Sequence, residues 1–138
     1  MKEMTSQKTG KKTVLLVEDE IAIQEAVKIK LERMDFNVLT ADTGEDALAT
    51  LTHARPDIVW LDALLPGMSG IEVLRAIRKM PELTELPVVV VSVSCSEDKV
   101  KEALALGALD YLVKSEHTIG RLADYVKELT DKSPHHAN

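Results

Sequence analysis

Apolar residues along this chain form two patterns that alternate. Short runs rich in apolar and β-branched residues are typical of strands buried in a sheet, whereas apolar positions three or four residues apart are typical of amphipathic helices. The strand pattern is found at residues 13–17, 37–41, 58–61, 88–91 and 110–113. The helix pattern is found at residues 23–34, 43–52, 69–77, 96–106 and 119–129. This alternation predicts an α/β fold with a parallel sheet that carries helices on both faces.

The predicted helices have recognisable ends. Thr43 and Ser69 are residue types that cap helix N-termini, and Ser96 precedes an acidic first turn. Gly107 follows the fourth helix as a C′ residue, and Pro81 marks the loop after the third. In the first helix, the residues at helical spacing are Ile23, Ala26, Val27, Lys30, Leu31 and Met34.

One domain at residues 13–130 accounts for the whole pattern, and residues 1–12 and 131–138 are predicted to be tails, the first of them disordered. The net charge of −6 and the scarcity of aromatic residues argue against direct nucleic-acid binding by this chain. A single cysteine cannot form an internal disulfide, and no segment has the apolar length of a signal peptide or a membrane span. We therefore predict a cytoplasmic protein without a membrane partner.

Polar side chains follow the predicted strands at the points where the strands end. Glu18 and Asp19 follow the first strand, Asp62 the third, Ser92 the fourth and Lys114 the fifth. Since the carboxyl ends of parallel strands meet at one edge of a sheet, we expect these side chains to converge. A single polar residue after a strand commonly does no more than cap a turn. A set that combines carboxylates, a hydroxyl and an ammonium is harder to explain as turn caps alone.

The predicted cluster has the chemistry of a phosphoryl-transfer site. Three carboxylates in one place would raise one another's pKa values, and Mg²⁺ relieves this repulsion with oxygen ligands. Lys114 supplies a positive charge and Ser92 a hydroxyl donor for phosphoryl oxygens. Asp62 is left as a nucleophile that can form an aspartyl phosphate.

Four segments, in this order and spacing, resemble the receiver domain of two-component response regulators. They are residues 17–20, 57–70, 86–92 and 107–114, and the resemblance extends from residue 13 to about residue 129. It implies a flavodoxin-like (βα)5 sandwich whose five-stranded parallel sheet has the order 2-1-3-4-5.

The resemblance also implies roles for individual residues. Asp62 would be the phosphoacceptor, and Asp19, Asp62 and the backbone carbonyl of Leu64 would bind Mg²⁺, with Glu18 acting mostly through water. Ser92, Lys114 and Tyr111 would respond to the phosphoryl group: Ser92 as the switch hydroxyl, Lys114 as the family's lysine, and Tyr111 as the aromatic residue coupled to the switch.

The implied function is a phosphorylation-dependent switch that catalyses only its own phosphorylation and dephosphorylation. The phosphoryl donor would be a phosphohistidine on a sensor histidine kinase or a histidine phosphotransfer protein. The output would be a changed surface that binds a downstream protein target, and a homodimer is possible. We expect no output domain in this chain.

Three residues depart from the family pattern. Ser115 follows Lys114 where the family usually has a cis proline, so we expect a trans bond there. Val93 replaces a small residue after Ser92 and could narrow access to the phosphoryl group. Leu64 is apolar where many members are polar, which could slow attack by water and lengthen the phosphorylated lifetime.

The sequence leaves two alternatives to the switch. One is a receiver-like protein-interaction module that is not phosphorylated, which the departures at Val93 and Ser115 keep open. The other is an aspartate-nucleophile phosphatase of the haloacid-dehalogenase type. That class has a second Asp two residues after the nucleophile, where this chain has Leu64.

Overall fold

The structure, a computed structural model, describes residues 10–93 and 95–132, with the backbone alone at Lys132. Five strands and five α-helices alternate within these residues. The strands are β1 Thr13–Val17, β2 Asn37–Ala41, β3 Ile58–Asp62, β4 Val88–Ser92 and β5 Asp110–Val113. The helices are α1 Ile21–Arg33, α2 Gly44–Leu51, α3 Gly70–Arg78, α4 Glu97–Ala105 and α5 Ile119–Lys132. Two short 3₁₀ helices, Pro81–Leu83 and Lys114–Glu116, precede β4 and follow β5.

The strands form one parallel sheet in the order β2-β1-β3-β4-β5. This confirms the predicted α/β class and the strand order that the resemblance implied. The central strand β3 is buried along its whole length, which fits a strand with neighbours on both sides and helices on both faces. All strands end at the same edge, so the residues that follow them meet there.

Alternate strand residues build two hydrophobic cores, one on each face of the sheet. Val59 and Leu61 of β3 pack with side chains of α2, α3 and α4, whereas Ile58 and Trp60 pack with side chains of α1 and α5. The two-residue period of the strand therefore places one set of helices on each face.

The predicted helix caps are confirmed. Thr43 accepts a hydrogen bond from the Asp46 N–H, and Ser96 accepts one from the Lys99 N–H. Ser69 caps α3 with a full capping box. Gly107 follows α4 at a φ of 84°, a left-handed conformation that favours glycine.

Several predicted boundaries were wrong by a few residues. β3 and β4 include Asp62 and Ser92 themselves, and α5 continues to Lys132 rather than ending at Leu129. The first two residues of the predicted C-terminal tail are therefore helical. Residues 1–9 and 133–138 lie outside the described residues, so the division into domain and tails stays a prediction.

The first helix differs from its predicted apolar stripe. Ala26 is exposed, and the buried residues of α1 are Gln24, Val27 and Leu31. The buried stripe still has helical spacing, but it begins with an amide side chain. Among the described residues, no helix combines the length and the apolar character that a membrane crossing requires.

Candidate functional site

The acidic part of the site is built by the ends of β1 and β3. Pairing continues one residue past β1, where the Glu18 N–H donates to the Ala41 carbonyl at 3.1 Å, and this holds Glu18 at the sheet edge. Glu18, Asp19 and Asp62 each offer a carboxylate oxygen, and these oxygens all lie within 4.8 Å of one another. The predicted convergence of these three residues is therefore found in the structure.

Asp62 is held firmly at the end of the central strand. It is only 4% exposed, and its Oδ1 accepts a hydrogen bond of 3.0 Å from the Leu64 N–H. Gly70, the first residue of α3, lies directly against this strand end. A Cβ added there would lie 2.3 Å from the Asp62 carbonyl oxygen and 2.7 Å from the Ala63 Cα. The helix therefore packs on the backbone that carries Asp62.

Lys114 brings a positive charge to the carboxylates from the end of β5. Its Nζ lies 2.8 Å from Glu18 Oε1 and 3.4 Å from Asp62 Oδ2. These three side chains come from three different strand ends, two of which are 96 residues apart in the sequence. The ammonium thus compensates part, but not all, of the clustered negative charge.

The environment changes the proton affinities of both Asp62 and Lys114. Burial raises the pKa of Asp62 to about 6, the Leu64 N–H and Lys114 oppose this rise, and the Glu18 carboxylate adds to it. Burial alone would lower the pKa of Lys114, but its hydrogen bond to Glu18 and the two nearby carboxylates outweigh this and raise it. Lys114 therefore stays protonated beside the acidic cluster.

Ser92 and Tyr111 lie on the strands beside Asp62. Asp62 pairs with Val91, so the buried Ser92 is one residue further along β4, toward the edge where the carboxylates lie. Tyr111 of β5 is 8% exposed, and its ring belongs to the core on the α3 and α4 face. Their roles as switch residues stay predictions.

The residues that depart from the family pattern are on the surface. Leu64 and Val93 are 46% and 54% exposed, and Ser115 is exposed as well. No cis peptide bond occurs among the described residues, so the bond before Ser115 is trans as predicted. The predicted effect of Val93 on access to the phosphoryl group and that of Leu64 on the phosphorylated lifetime stay predictions.

The donor set fits a hard divalent cation. Three carboxylates offer oxygen ligands. Glu18 and Asp62 are buried, whereas Asp19 is half-buried and forms the more exposed side of the cluster. Such a set suits Mg²⁺, which is commonly held by a few carboxylates together with waters and phosphate oxygens. The sequence analysis predicted this cluster, and the part assigned to the Leu64 carbonyl stays a prediction.

One buried polar residue near the site was missed. Gln24 of α1 contacts the backbone of Glu18, with Nε2 donating to the Glu18 carbonyl oxygen at 2.9 Å. A signal was available, because Gln24, Val27 and Leu31 follow the spacing of a buried helix face. A polar residue on such a face needs a hydrogen-bonding partner.

Comparisons with known proteins give a consistent result. A family model for the response regulator receiver domain matches residues 14–127. The transcriptional regulatory protein AfsQ1 of Streptomyces coelicolor is 39% identical over 112 residues, which are 81% of this chain and 48% of AfsQ1. The chain spans about half the length of the curated relatives it matches.

Solved structures of response regulators share the fold. The phosphorylated cyanobacterial phytochrome response regulator RcpA is 33% identical, with a TM-score of 0.75 over 86% of this chain and 91% of that one. The Mn²⁺-bound form of response regulator Rcp1 is 31% identical, with a TM-score of 0.77 over 85% of this chain and 92% of that one. The match of the family model over most of the chain, together with the fold and the converging strand ends, leads to one conclusion: this chain belongs to the response regulator receiver domain family.

Proposed function

We propose that this receiver domain takes a phosphoryl group onto Asp62 from a phosphohistidine, with Mg²⁺ held by Glu18, Asp19 and Asp62. The observation that carries the proposal is the position of Asp62. Its carboxylate lies within 4.8 Å of two other carboxylates and 3.4 Å from the Lys114 ammonium. A buried nucleophile beside a cation and a cation-binding cluster is what phosphoryl transfer to a carboxylate requires.

The reaction is a displacement at phosphorus. A carboxylate oxygen of Asp62 forms a bond to phosphorus as the P–N bond to the donor imidazole breaks, and the electron pair of that bond leaves with the imidazole nitrogen. Lys114 stabilises negative charge on the phosphoryl oxygens, and the Ser92 hydroxyl donates to one of them. When bound, Mg²⁺ supplies further positive charge for the carboxylates and the phosphoryl group.

The protonation states suit this chemistry. A pKa of about 6 leaves Asp62 mostly ionised at pH 7, as a nucleophile has to be. The raised pKa of Lys114 keeps the ammonium charged under the same conditions. The structural relatives support the assignment, because one is a phosphorylated response regulator and another is bound to Mn²⁺.

The phosphoryl group is proposed to act by shifting an equilibrium between two conformations. Ser92 and Lys114 would move toward the new charge, Tyr111 would follow, and the surface formed by α4, β5 and α5 would change. A sensor histidine kinase or histidine phosphotransfer protein would act before this step, and a protein target would bind the changed surface. A cytoplasmic location belongs to this proposal and rests on the sequence.

Intact mass spectrometry tests the nucleophile. The wild type and Asp62→Asn are incubated with Mg²⁺ and either a small acyl phosphate or a phosphorylated histidine phosphotransfer protein. Asp57→Asn is the matched control, because Asp57 precedes the same strand at the opposite edge of the sheet and accepts a hydrogen bond from the Thr13 N–H at 2.7 Å. We expect one phosphoryl group on the wild type and on Asp57→Asn, and none on Asp62→Asn or in the presence of EDTA.

Failure of both donors to modify the wild type would contradict the proposal. It would favour the alternative in which this receiver domain is an interaction module that is not phosphorylated. Equal modification of the wild type and Asp62→Asn would instead place the acceptor at another residue.

A further inference from the structure

The side-chain amide of Gln24 connects three segments of the chain. Gln24 is 8% exposed, on the inner face of α1. Its Nε2 donates one hydrogen bond of 2.9 Å to the Glu18 carbonyl oxygen and another of 2.8 Å to Asp42 Oδ1. The amide therefore joins α1 to the β1–α1 loop, which carries the acidic pair, and to the β2–α2 loop.

Helix packing alone would favour an apolar side chain at the position of Gln24. Val27 and Leu31 fill the rest of the buried face of α1 with apolar side chains. Burying an amide without partners is unfavourable, and hydrogen bonds are needed to offset the lost hydration. Both N–H groups of Gln24 have an acceptor, so the side chain is suited to holding the loops.

The loop that Gln24 holds is the one that carries the metal-binding residues. Besides its N–H, which donates to the Ala41 carbonyl, Glu18 is fixed at three further points. Its carbonyl accepts from Gln24, its Oε1 lies 2.8 Å from Lys114 Nζ, and its Oε2 accepts from the Glu20 N–H at 3.2 Å. The Glu18 carbonyl belongs to the peptide unit between Glu18 and Asp19. Fixing this planar unit fixes the position of the Asp19 Cα, from which the carboxylate extends.

We propose that Gln24 is a positioning residue for the cation site, in that its amide keeps Asp19 close to Glu18 and Asp62. This inference rests on the proposed function, since it concerns the same metal site. Three carboxylates within 4.8 Å repel one another, so a movement of Asp19 away from the other two would lower the electrostatic energy. The hydrogen bond from Gln24 to the Glu18 carbonyl opposes that movement.

Asp42 supports the amide from the other side. Its backbone lies just after β2, and its carboxylate is exposed apart from the hydrogen bond to Gln24. A charged acceptor gives a stronger hydrogen bond than a neutral one and orients the amide so that its second N–H points at Glu18. Loss of Asp42 removes this orientation but leaves the Gln24–Glu18 contact possible, so the effect should be smaller.

Isothermal titration calorimetry with Mg²⁺ on the metal-free chain of 138 residues tests the proposal. Gln24→Met keeps a side chain of similar length without hydrogen-bond donors, and Asp42→Ala removes the orienting acceptor. Removing such supports weakens metal binding by about 10- to 100-fold in known sites, so we expect about tenfold weaker binding for Gln24→Met and a smaller loss for Asp42→Ala. Val27→Ala is the control, because it loses core packing in the same helix without touching the loop, and its Mg²⁺ affinity should equal that of the wild type.

Amide hydrogen exchange at Asp19 and Glu20 without metal is the second readout. Gln24→Met should exchange faster than the wild type at these two amides, and Val27→Ala should not differ there beyond its global loss of stability. If the wild type binds Mg²⁺ and Gln24→Met binds it within twofold with unchanged exchange, the positioning role is wrong. If the wild type binds no Mg²⁺, the proposed metal site itself is wrong, and the inference falls with it.

Discussion

Two helices of equal length, each of which follows a strand that ends beside the site, are held in different ways. Both have nine residues, α3 after the strand that carries Asp62 and α4 after the strand that ends at Ser92. Within α3 the buried residues are Gly70, Ile71, Val73, Leu74 and Ile77. In α4, all of which is described, Ala103 is the one buried residue.

Polar contacts add to this difference. The α3 N-terminus lies on the backbone of Asp62 through Gly70 and is closed by a capping box. At its other end, α3 supplies Arg78, which donates to the carbonyls of Leu106 at 2.7 Å and Gly107 at 3.1 Å, just beyond α4. The C-terminal end of α4 is thus attached to α3, whereas its body packs on the sheet through little apolar surface.

The comparison indicates how one sheet edge can serve both chemistry and signalling. The proposed nucleophile, Asp62, has to stay in place, and the deeply packed α3 lies directly against its backbone. A signal requires an element that moves at low cost, and segments with few buried apolar contacts are the ones that open at low free energy. We therefore expect the response to Asp62 phosphorylation in α4, at the end nearer Ser92.

The largest expected effect comes from truncating one leucine in each helix. Leu74 of α3 is fully buried and Leu104 of α4 is 48% exposed. Leu74→Ala should lower the free energy of unfolding by about 2–5 kcal/mol, because it leaves a cavity. Leu104→Ala should change it by less than about 0.5 kcal/mol. Urea denaturation of both variants measures the difference, and equal losses would mean that α4 is packed as deeply as α3.

A second pair of variants tests the contact of α3 with the end of β3. In Gly70→Ala the new Cβ would meet backbone atoms of Asp62 and Ala63, which cannot move as a flexible side chain can. We expect a loss of about 1–3 kcal/mol from overpacking. Gly120→Ala in α5 is the control, since its nearest neighbour would be Lys30 Cε at 3.8 Å, and better helix propensity should stabilise it by up to about 1 kcal/mol. Thermal or urea unfolding measures both variants. Equal stability of Gly70→Ala and Gly120→Ala would rule out the close approach of Gly70 to the backbone of Asp62 and Ala63.

Arg78 and Arg75 test what holds the end of α4. Arg78 is half-buried and donates to three backbone carbonyls, including Leu83 at 3.0 Å, whereas the Arg75–Glu102 ion pair is largely exposed. Arg78→Met should lower the free energy of unfolding by about 1–3 kcal/mol, because three backbone carbonyls lose their donor, two of them in part-buried hydrogen bonds. Arg75→Met should cost less than about 1 kcal/mol. Hydrogen exchange in the last turn of α4 should accelerate in Arg78→Met, and faster exchange in Arg75→Met alone would assign the attachment to the ion pair.

The smallest expected effect concerns the stability that the folded chain loses by burying the charged Asp62 carboxylate. Burial raises the pKa of Asp62, so the folded chain disfavours the ionised carboxylate, and Asp62→Asn should be more stable than the wild type at pH 7 in EDTA. Mg²⁺ at ten times its dissociation constant should stabilise the wild type by about 1.4 kcal/mol and Asp62→Asn by less. Melting temperatures with and without Mg²⁺ measure both effects. A wild type that is the more stable protein in EDTA would show that the cluster carries no such cost.

Much of the fold could be predicted because its signals are local. The β-branched run at residues 88–91 and the caps Ser69 and Ser96 determine structure within a few residues of themselves, and all three predictions were confirmed. The end of α5 was missed because no Gly or Pro lies between Leu129 and Lys132, and the first helix-stopping residue in the sequence is Pro134. Thr130, a weak helix former, is buried with its hydroxyl donating to the Lys127 carbonyl. β3 and β4 ran one residue further than predicted, since pairing with a neighbouring strand continues past the last apolar residue.

The supporting residues of the site could not be predicted in the same way. Asp62, Ser92 and Lys114 lie at or just after the ends of strands, and their own side chains would carry the proposed chemistry, so their positions indicated a site. Gln24 and Arg78 donate to main-chain carbonyls, Gln24 to that of Glu18 in the preceding loop and Arg78 to those of Leu106 and Gly107, which are distant in sequence. Every residue has a backbone carbonyl, so the sequence does not indicate which carbonyl accepts the hydrogen bond.

Hydrogen exchange on the wild type and Asp62→Asn, each with Mg²⁺ and with or without a small acyl phosphate, tests the central claim most directly. The account predicts that the phosphoryl donor changes exchange in α4 and β5 of the wild type, leaves α3 unchanged, and has no effect on Asp62→Asn. An equal change in α3 and α4, or a phosphorylated wild type in which α4 does not respond, would contradict it.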